Sequence, residues 1–306
     1  VTVEAGNGYW INTTSNACTV TLPSSAEAGD QIVIVDYLRT WGTNNVTLDQ
    51  GSLKFQGGAK NPVYTTNGQS VNLIYSSRVS LKNLMGNTGT IAADVTGVGT
   101  GRDSLAASGY GDDKAIFAYG RNGGNVSLKN LVDNVGTVAS DVTGVGTARR
   151  GIAAARYGST GQAVFAYGYS SGLVSLKNLV SNVGVVAADV TGVGTARIYP
   201  AAVGYGEDKA IFAFGEASSD VTGVSNLVTS VGVIGTDVSA VGTARYALGA
   251  ARYGGDKAIF GYGHLADGSV VSMSNLVNSS GVIASDVTGV GSARGGIAAA
   301  EYSFSA

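Results

Sequence analysis

Polar and apolar residues alternate one by one in the N-terminal part of the chain, as they do in half-buried β-strands. The segments CTVTLP from Cys18, QIVIVDY from Gln31 and NVTLDQ from Asn45 show this alternation, and VNLIYSS from Val71 follows them. Glycine and asparagine residues between the segments are turn signals. The pattern predicts a small, sandwich-like all-β domain over residues 1–70.

The remainder of the chain repeats one pattern every 47 to 49 residues. Each repeat contains an Asn in a KNL or SNL triplet, an Asp-Val pair before Thr-Gly-Val-Gly or a variant, and an Arg eight residues after the Asp. These residues are Asn83, Asn130, Asn178, Asn226 and Asn275; Asp94, Asp141, Asp189, Asp237 and Asp286; and Arg102, Arg149, Arg197, Arg245 and Arg294. A period of about 40 to 50 residues indicates a propeller or a solenoid.

Each repeat holds four short apolar runs separated by Gly, Asn and Asp, with no long apolar pattern at helical spacing. In one copy the runs are 174–180, 185–190, 201–205 and 209–214. Four antiparallel strands form a propeller blade, and a ring of blades removes exposed sheet edges. The sequence therefore predicts an all-β fold with a five-bladed β-propeller of four-stranded blades over residues 71–306.

The first blade is expected to combine both ends of this domain. Runs of the second, third and fourth kind stand at its start, the second near Leu73, but the first run is missing there. The C-terminal GGIAAAEYSFSA has the sequence of a first run with nothing after it. Residues 296–304 are therefore predicted to complete blade one, while strand 71–77 fits either that blade or the N-terminal domain.

Composition and charge argue against several classes of partner and site. Glycine accounts for 47 of 306 residues and charged residues for only 13%, which suits tight turns and strands buried on both faces. The formal net charge of -2 argues against nucleic acid or an anionic membrane as a partner. Cys18 is the single cysteine, so one chain can form neither a disulfide nor a thiolate metal site. No apolar run suits membrane insertion, and the start at Val1 suggests a processed or cropped chain.

The N-terminal segment VEAGNGYWINTTSNACTVTLPSSAEAGDQIVIVDY, with the later NNVTLDQGSLKFQG and VNLIYSS, resembles a β-module of tailed bacteriophages. This module is common in tail fibres and other virion appendages, and the resemblance covers about the first 77 residues. It implies a protein located on the virion and joined to other virion proteins through this domain. It also implies a homo-oligomer, commonly a trimer.

The repeats resemble Kelch-type propeller repeats. AIFAYG from Ala115 matches the second strand, VSLKNLV the third, GTVASDV the fourth, and TARRGIAAARYG the Arg-containing turn and first strand. Tyr-Gly replaces the double Gly of Kelch repeats and no Trp marks the fourth strand, so the resemblance is one of architecture. Repeats with DKAIFGYG and TGVGTAR also look similar to those of phage fibre proteins.

The repeated Asp and Arg residues are predicted to be structural. No second carboxylate stands beside any of these Asp residues, so they are expected to satisfy turn backbone groups or to pair with a neighbouring blade rather than to bind a metal. The segment TGVGT lacks the Lys and the helix of a phosphate-binding loop.

Catalysis has little support in the sequence. His264 is the single histidine, and no G-x-S-x-G segment precedes it in the expected context. Paired carboxylates hydrolyse glycosides, but no spacing singles out a pair among those in the predicted loops. These are Asp112, Asp113, Glu207, Asp208, Asp220 and Asp267. The chain is therefore predicted not to be an enzyme and to need no cofactor or metal.

The repeats differ most at two places that a four-stranded antiparallel blade puts on one face. One is the loop between the second and third strands (RNGGN, YSSGL, EASSD, HLADGS), and the other is the pair of positions after each repeated Arg. Aromatic rings stack on sugars, and Arg or carboxylate groups bind hydroxyls and charged sugars. The candidate binding residues on this face are Arg121, Arg150, Tyr169, Tyr199, Tyr246, His264 and Asp267.

These patterns favour host-surface attachment by a tail fibre or other virion appendage, through a glycan or protein receptor and without catalysis. A structural role as a capsid decoration, knob or cement protein is the alternative, and a polysaccharide-degrading enzyme is a third. Neutral drift of surface loops gives the same variation as selection for binding, so variation alone does not separate these functions.

Overall fold

The computed structural model describes residues 1–25, 31–51, 61–74, 82–84, 91–93, 95, 97–218 and 220–301. All regular elements among these residues are β-strands, so the chain is all-β as predicted. It divides into two compact units, Val1–Val79 and Ser80–Ala306. None of the described residues belongs to a helix that could cross a membrane.

The N-terminal unit contains two three-stranded sheets that share one core. Its strands are β1 (Gly8–Ile11), β2 (Cys18–Thr21), β3 (Gln31–Asp36), β4 (Val46–Asp49), β5 (Val63–Tyr64) and β6 (Ser70–Ile74). One sheet has the order β1-β3-β6, with β1 parallel and β6 antiparallel to β3. The other has the order β2-β4-β5, with β2 parallel and β5 antiparallel to β4. Alternate residues of β3 and β4 are buried, and Ile34, Leu48 and Trp41 lie fully inside the core.

Strand β6 belongs to the N-terminal unit. Leu73 pairs with Ile32 of β3 in the antiparallel register of this sheet. The second strand of blade one, expected near Leu73, therefore lies in the N-terminal sheet, and the unit boundary falls after Val79 rather than at residue 70. Residues 75–77 of the same run lie outside the described residues.

The described part of the C-terminal unit contains four three-stranded antiparallel sheets, one for each repeat from the second to the fifth. In every sheet the second strand lies between the first and the third. Repeat 2 contains β7 (Ala106–Tyr110), β8 (Lys114–Ala118) and β11 (Lys129–Val132), with the short pair β9 (Arg121–Asn122) and β10 (Gly124–Asn125) between β8 and β11. Repeat 3 contains β12 (Ala153–Tyr157), β13 (Gln162–Ala166) and β14 (Lys177–Val180), and repeat 4 contains β15 (Ala201–Tyr205), β16 (Lys209–Ala213) and β17 (Ser225–Val228). Repeat 5 contains β18 (Gly249–Tyr253), β19 (Lys257–Gly261) and β20 (Ser274–Val277).

The predicted fourth strand of each blade is not a continuous strand. The segment after the third strand touches it through two isolated bridges in each of repeats 2 to 5, such as Val180 with Val186 in repeat 3. Between the bridges, the side-chain amide of Asn178 donates to the carbonyl oxygen of Ala187 at 3.0 Å. A side chain thus takes an acceptor that a regular strand gives to its neighbour's backbone. The predicted four-stranded blade is corrected to three strands and a bridged edge segment.

Repeat 1 is incomplete among the described residues. Lys82 and Val95 form one isolated bridge of the kind that joins the third and fourth segments elsewhere. The closing strand predicted at 296–304 is not a regular strand, because residues 296–301 belong to none and residues 302–304 lie outside the described residues. The physical reason is that the strand near Leu73, with which it was expected to pair, pairs with β3 instead.

Successive repeats are joined by hydrogen bonds at both ends of their first strands. At one end, the residue two positions after each repeated Arg has a positive φ and donates its N–H to the same position of the previous repeat. These bonds run from Gly151 to Ser104 (2.8 Å), Tyr199 to Gly151 (2.7 Å), Ala247 to Tyr199 (3.2 Å) and Gly296 to Ala247 (3.0 Å). At the other end, turn amides donate to the next turn, from Gly111 to Gly161, Gly158 to Asp208 and Gly206 to Asp256, each at 2.7 Å. The first strands of consecutive repeats therefore lie side by side.

Aromatic side chains fill the interfaces between repeats. The ring that follows the second strand of one repeat packs against the Phe of the second strand in the next. The pairs are Tyr119 with Phe165 (5.7 Å between ring centroids), Tyr167 with Phe212 (5.4 Å) and Phe214 with Phe260 (5.5 Å). All six rings are buried, so these interfaces are continuous apolar cores.

Candidate ligand-binding face

One buried contact recurs in repeats 2 to 5 and holds the base of the candidate face. The guanidinium group of the repeated Arg donates to the side-chain oxygen of the repeated Asn on the third strand. The distances are 2.6 Å for Arg102 to Asn130, 2.6 Å for Arg149 to Asn178, 2.8 Å for Arg197 to Asn226 and 2.6 Å for Arg245 to Asn275. The amide of each Asn then donates to the repeated Asp at 2.9 Å in all four repeats.

The repeated Asp also accepts a backbone N–H from the segment that enters its repeat. The donor is the Thr two residues before the repeated Arg, at 2.8 Å for Thr100 to Asp141, 2.8 Å for Thr147 to Asp189, 3.1 Å for Thr195 to Asp237 and 2.9 Å for Thr243 to Asp286. Each Arg therefore meets the Asp that follows it in the chain, not the Asp eight residues before it. In repeats 2 to 5 these residues satisfy turn backbone groups and pair with each other, while Asp94 lies outside the described residues.

The repeated Asp and the repeated Arg of this contact are both charged at neutral pH. Burial raises the pKa of Asp189, but hydrogen bonds from Thr147 and Asn178 and the charge of Arg149 outweigh burial, so the pKa lies below its ordinary value. The pKa values of Asp141, Asp237 and Asp286 are lowered in the same way. Burial lowers the pKa of Arg245 to about 10, so its guanidinium group stays charged at neutral pH.

The repeated Arg of repeats 3, 4 and 5 also lies over an aromatic ring of the preceding repeat. The guanidinium carbon is 4.3 Å from the ring centre for Arg149 over Tyr119, 4.0 Å for Arg197 over Tyr167 and 4.5 Å for Arg245 over Phe214. Burial raises the pKa of Tyr119 and of Tyr167 to about 12, so both phenols are neutral. The Arg side chain thus ties two repeats together by a cation–π contact and hydrogen bonds.

The two variable positions of each repeat lie directly opposite each other on this base. The residue after the repeated Arg forms an isolated antiparallel bridge with the first residue of the loop between the second and third strands. The bridged pairs are Asp103 with Arg121, Arg150 with Tyr169, Ile198 with Glu216 and Tyr246 with His264. The sequence placed these positions on one face, and the structure shows that they pair within each repeat.

The chemistry of the bridged pairs changes from repeat to repeat. Arg121 lies 3.4 Å from the carboxylate of Asp103 in an ion pair. The guanidinium carbon of Arg150 lies 4.5 Å from the ring centre of Tyr169, in a cation–π contact. The rings of Tyr246 and His264 stack with centroids 5.1 Å apart and an interplanar angle of 23°. One backbone arrangement therefore presents an ion pair, a cation–π pair and an aromatic stack.

Tyr199 extends the aromatic stack into the neighbouring repeat. Its ring centroid is 6.3 Å from that of Tyr246, so Tyr199, Tyr246 and His264 form a row that we call the aromatic row. A glycine ends the row, because a β-carbon at Gly295 would lie 2.1 Å from the His264 ring. The three side chains are half-buried and expose part of their surface on this face.

Among the described residues, no hydrogen bond or ion pair joins Asp267 to the aromatic row. It is exposed in the hairpin after His264 and accepts hydrogen bonds from the hydroxyl (2.6 Å) and the backbone N–H (2.9 Å) of Ser269, which lower its pKa. The His264 ring contacts this hairpin through Nδ1, which lies 3.4 Å from the carbonyl oxygen of Gly268. Asp267 therefore shapes the hairpin rather than the row.

Asn125 is a site residue that the sequence analysis missed. Its side-chain amide donates to the carbonyl oxygens of Tyr169 (3.1 Å) and Ser170 (2.8 Å) in the next repeat. Its side-chain oxygen accepts from Arg150 at 3.1 Å. The position of Asn125 at the end of the variable RNGGN loop was the available signal, since a polar residue there faces the neighbouring repeat.

Three of the six loop carboxylates considered for glycoside hydrolysis have cationic neighbours. Asp113 lies 2.9 Å from Lys114, Asp112 3.5 Å from Arg156 and Asp208 4.0 Å from Lys209. Within the described ranges, no group of three His, Cys, Asp or Glu side chains is arranged to hold a metal ion. The bridged pairs and the aromatic row are thus the arrangement with the clearest capacity to bind a ligand.

Neither a scan against protein-family models nor a search of curated proteins finds a match to the chain.

Proposed function

We propose that the chain is an external virion protein of a tailed bacteriophage, in a tail fibre or similar appendage, that attaches to the host surface without catalysis. The observation that carries this proposal is the contrast within each repeat between a constant buried contact and a bridged pair of changing chemistry. Function placed on a fixed scaffold is expected at such positions.

The proposal includes a five-bladed, Kelch-like propeller as the binding unit. A cavity of about 300 Å³ supports it, because residues from the first strands of all four complete repeats line this one space together with Ala299, Ala300 and Glu301. First strands that surround a common space belong to a ring rather than to an extended stack. The small residues of these strands, mainly Ala and Gly, suit close approach around an axis.

The ligand of the proposed face is a host-surface glycan or a protein receptor. The aromatic row offers ring surface for the apolar side of a sugar or for an apolar side chain. Arg121 and Arg150 are already engaged with Asp103 and Tyr169, so they offer only their remaining N–H groups to hydroxyls or carboxylates. The face therefore combines apolar and hydrogen-bonding groups, as receptor-binding surfaces do.

The N-terminal unit is proposed to join other virion proteins and to form the homo-oligomer, a trimer. Trp10 is 75% exposed and stacks on the exposed Tyr37, with ring centroids 5.6 Å apart and an interplanar angle of 5°. An exposed aromatic pair of this kind favours a protein contact, because burying it removes apolar surface from water.

The test is a glycan array and a host-cell binding assay with the full chain. A variant with Tyr199, Tyr246 and His264 changed to Ala is compared with a control that changes Val183 and Val231 to Ala. These valines lie in the loops between the third and fourth segments, which differ little between repeats and which we call the constant loops. We expect binding by the wild-type chain and the control, and its loss in the aromatic-row variant. A folded wild-type chain that binds neither cells nor glycans contradicts the attachment function.

A structural role in the virion is the second candidate, and one observation favours it. The constant loops between the third and fourth segments expose valines at the same place in three repeats, with Val135 at 71%, Val183 at 69% and Val231 at 73%. Recurring exposed apolar side chains are expected where another protein covers them. Burial of these loops in purified virions, with no receptor binding, would favour a decoration or cement protein.

A further inference from the structure

The cavity of about 300 Å³ that the first strands of repeats 2 to 5 line together with residues 299–301 is called here the shared cavity. Alternate residues of β12 are buried in the core of their sheet, so the residues between them, Ala154 and Arg156, face this cavity. In the other segments that line the cavity, the position of Arg156 holds Gly109, Gly204, Arg252 and Glu301. The fold therefore accepts glycine at this position and does not require an arginine.

The charged side chains around the shared cavity have a net positive charge, although the chain has a formal net charge of -2. Three of them are cationic and two are anionic, namely Lys114, Arg156, Arg252, Asp112 and Glu301. These side chains lie near the C-terminal ends of the first strands, whereas the bridged pairs lie near their N-terminal ends. The shared cavity is therefore separate from the candidate ligand-binding face.

The guanidinium group of Arg156 has hydrogen-bond donors that the described part of the chain does not use. Its Nη2 lies 3.5 Å from the carboxylate of Asp112, whose side chain is 95% exposed, and it forms no hydrogen bond among the described residues. An exposed ion pair of this length contributes little stability. The N–H groups of Arg156 are thus available to a ligand.

The side chain of Arg252 is held in place beside the same cavity. Its Nη2 donates to the carbonyl oxygen of Gly206 in the preceding repeat at 3.1 Å and to that of Gly255 in its own turn. Its Nε lies 3.8 Å from the carboxylate of Glu301, which is longer than a hydrogen bond. Gly204 leaves room for this side chain, since a β-carbon there would lie 3.3 Å from Cδ of Arg252. Arg252 therefore adds a cationic group of fixed position to the cavity.

We propose that Arg156 and Arg252 bind one oxyanion group, a phosphate or a carboxylate, of a small ligand in the shared cavity. A guanidinium group matches either oxyanion, because its N–H groups donate in parallel to two oxygens. A volume of about 300 Å³ is at the lower end of small-molecule sites and suits a phosphate ion or one acidic sugar. This site does not depend on the proposed attachment function, which uses the bridged pairs and the aromatic row.

Isothermal titration calorimetry of the full chain at neutral pH tests the site. The probes are inorganic phosphate and glucuronate, and glucose is the uncharged control. We expect one or both anions to bind, glucose not to bind, and the affinity to fall as sodium chloride is raised from about 50 to about 500 mM. Binding of phosphate alone would identify phosphate as the ligand group, and binding of glucuronate would identify a carboxylate. A folded chain that binds neither anion overturns the proposal.

The variant Arg156→Gln removes one guanidinium group and breaks no hydrogen bond among the described residues. It should melt like the wild type and weaken anion binding at least about tenfold, because a charge-assisted hydrogen bond is lost. The matched control is Lys209→Gln, which removes a positive charge at the same end of the sheets from a residue that does not line the cavity. Equal losses in both variants would overturn the site, because the general charge of this end would then attract the anion.

The variant Gly109→Glu leaves both arginines in place and tests the site from the neighbouring repeat. A β-carbon at Gly109 would contact only the carbonyl oxygen of Lys114, at an ordinary 3.6 Å. The added carboxylate should weaken anion binding at least about tenfold by repulsion, whereas the uncharged Gly109→Gln should retain binding. Unchanged binding by Gly109→Glu would overturn the site. Host-cell binding is measured with the same variants and should not change, so a failure of either function is distinguished from a failure of the other.

Discussion

The constant Arg contact and the bridged pairs lie one residue apart in the sequence and behave in opposite ways. Arg149 is fully buried and its bonds match those of its counterparts within 0.2 Å, whereas its neighbour Arg150 is half-buried and occupies a position that holds Asp103, Ile198 and Tyr246 in the other repeats. The comparison shows that the fold constrains the buried position and leaves the adjacent position free to change chemistry.

The largest expected loss of stability is that of Arg149→Ala, and it is compared with Arg150→Ala at the next position. Arg149→Ala leaves the side-chain oxygen of Asn178 without its buried donor and removes the charge that lies 3.7 Å from Asp189. It should lower the free energy of unfolding by about 3–5 kcal/mol. Arg150→Ala should lower it by about 1 kcal/mol or less, since this side chain only stacks on Tyr169 and bonds Asn125. Guanidinium denaturation measures both values, and equal losses would remove the distinction between the two positions.

Acid should weaken the constant contact in all repeats together. The folded-state pKa values of Asp141, Asp189, Asp237 and Asp286 lie below the ordinary value of 3.8. A lowered folded-state pKa adds stability above about pH 4, and that stability is lost as the pH falls through the folded-state values. The free energy of unfolding, measured between about pH 5 and pH 2, should therefore fall steeply.

The control for the acid prediction is Asp237→Asn, which keeps an acceptor but removes one titrating group. This variant should be less stable than wild type at neutral pH and should lose less stability on acidification. A wild-type chain whose stability does not change down to about pH 2 would contradict the assignment of these carboxylates.

The smallest effect on stability is expected for Asp103 and Arg121, the bridged pair that forms an ion pair. Arg121 and Asp103 have side chains 44% and 37% exposed, so removing either should change the free energy of unfolding by less than about 1 kcal/mol. The double variant should behave like the single variants in thermal denaturation. A loss above about 2 kcal/mol would show that the bridged pairs are part of the scaffold.

Much of the repeat architecture could be predicted from the sequence, because periodic residues in short apolar runs have few structural explanations. The first three strands of repeats 2 to 5 were predicted from these runs, and the structural role of the repeated Asp and Arg followed from the absence of a second carboxylate. The prediction of a fourth strand was wrong. A run such as 185–190 has the pattern of a strand, but one of its backbone carbonyl groups accepts a hydrogen bond from the side chain of Asn178 instead of from a neighbouring strand.

Two other features depend on tertiary contacts that no local pattern reveals. The run VNLIYSS has the composition of a strand in either unit, and only its pairing with β3 assigns it to the N-terminal sheet. The candidate face was predicted as a set of variable positions, but their pairing was not. The bridge between Tyr246 and His264 joins residues 18 positions apart, with two strands between them.

The bridged pairs also affect how such a surface can change over generations. Both members of each pair lie within one repeat, 18 or 19 residues apart, so gene conversion or unequal crossing-over between repeats transfers a matched pair intact. A transferred repeat carries its repeated Arg together with the Asn that this Arg binds. The preceding repeat already supplies the aromatic ring over which the Arg lies. New combinations of surface chemistry can therefore arise by shuffling whole repeats, without passing through mismatched intermediates.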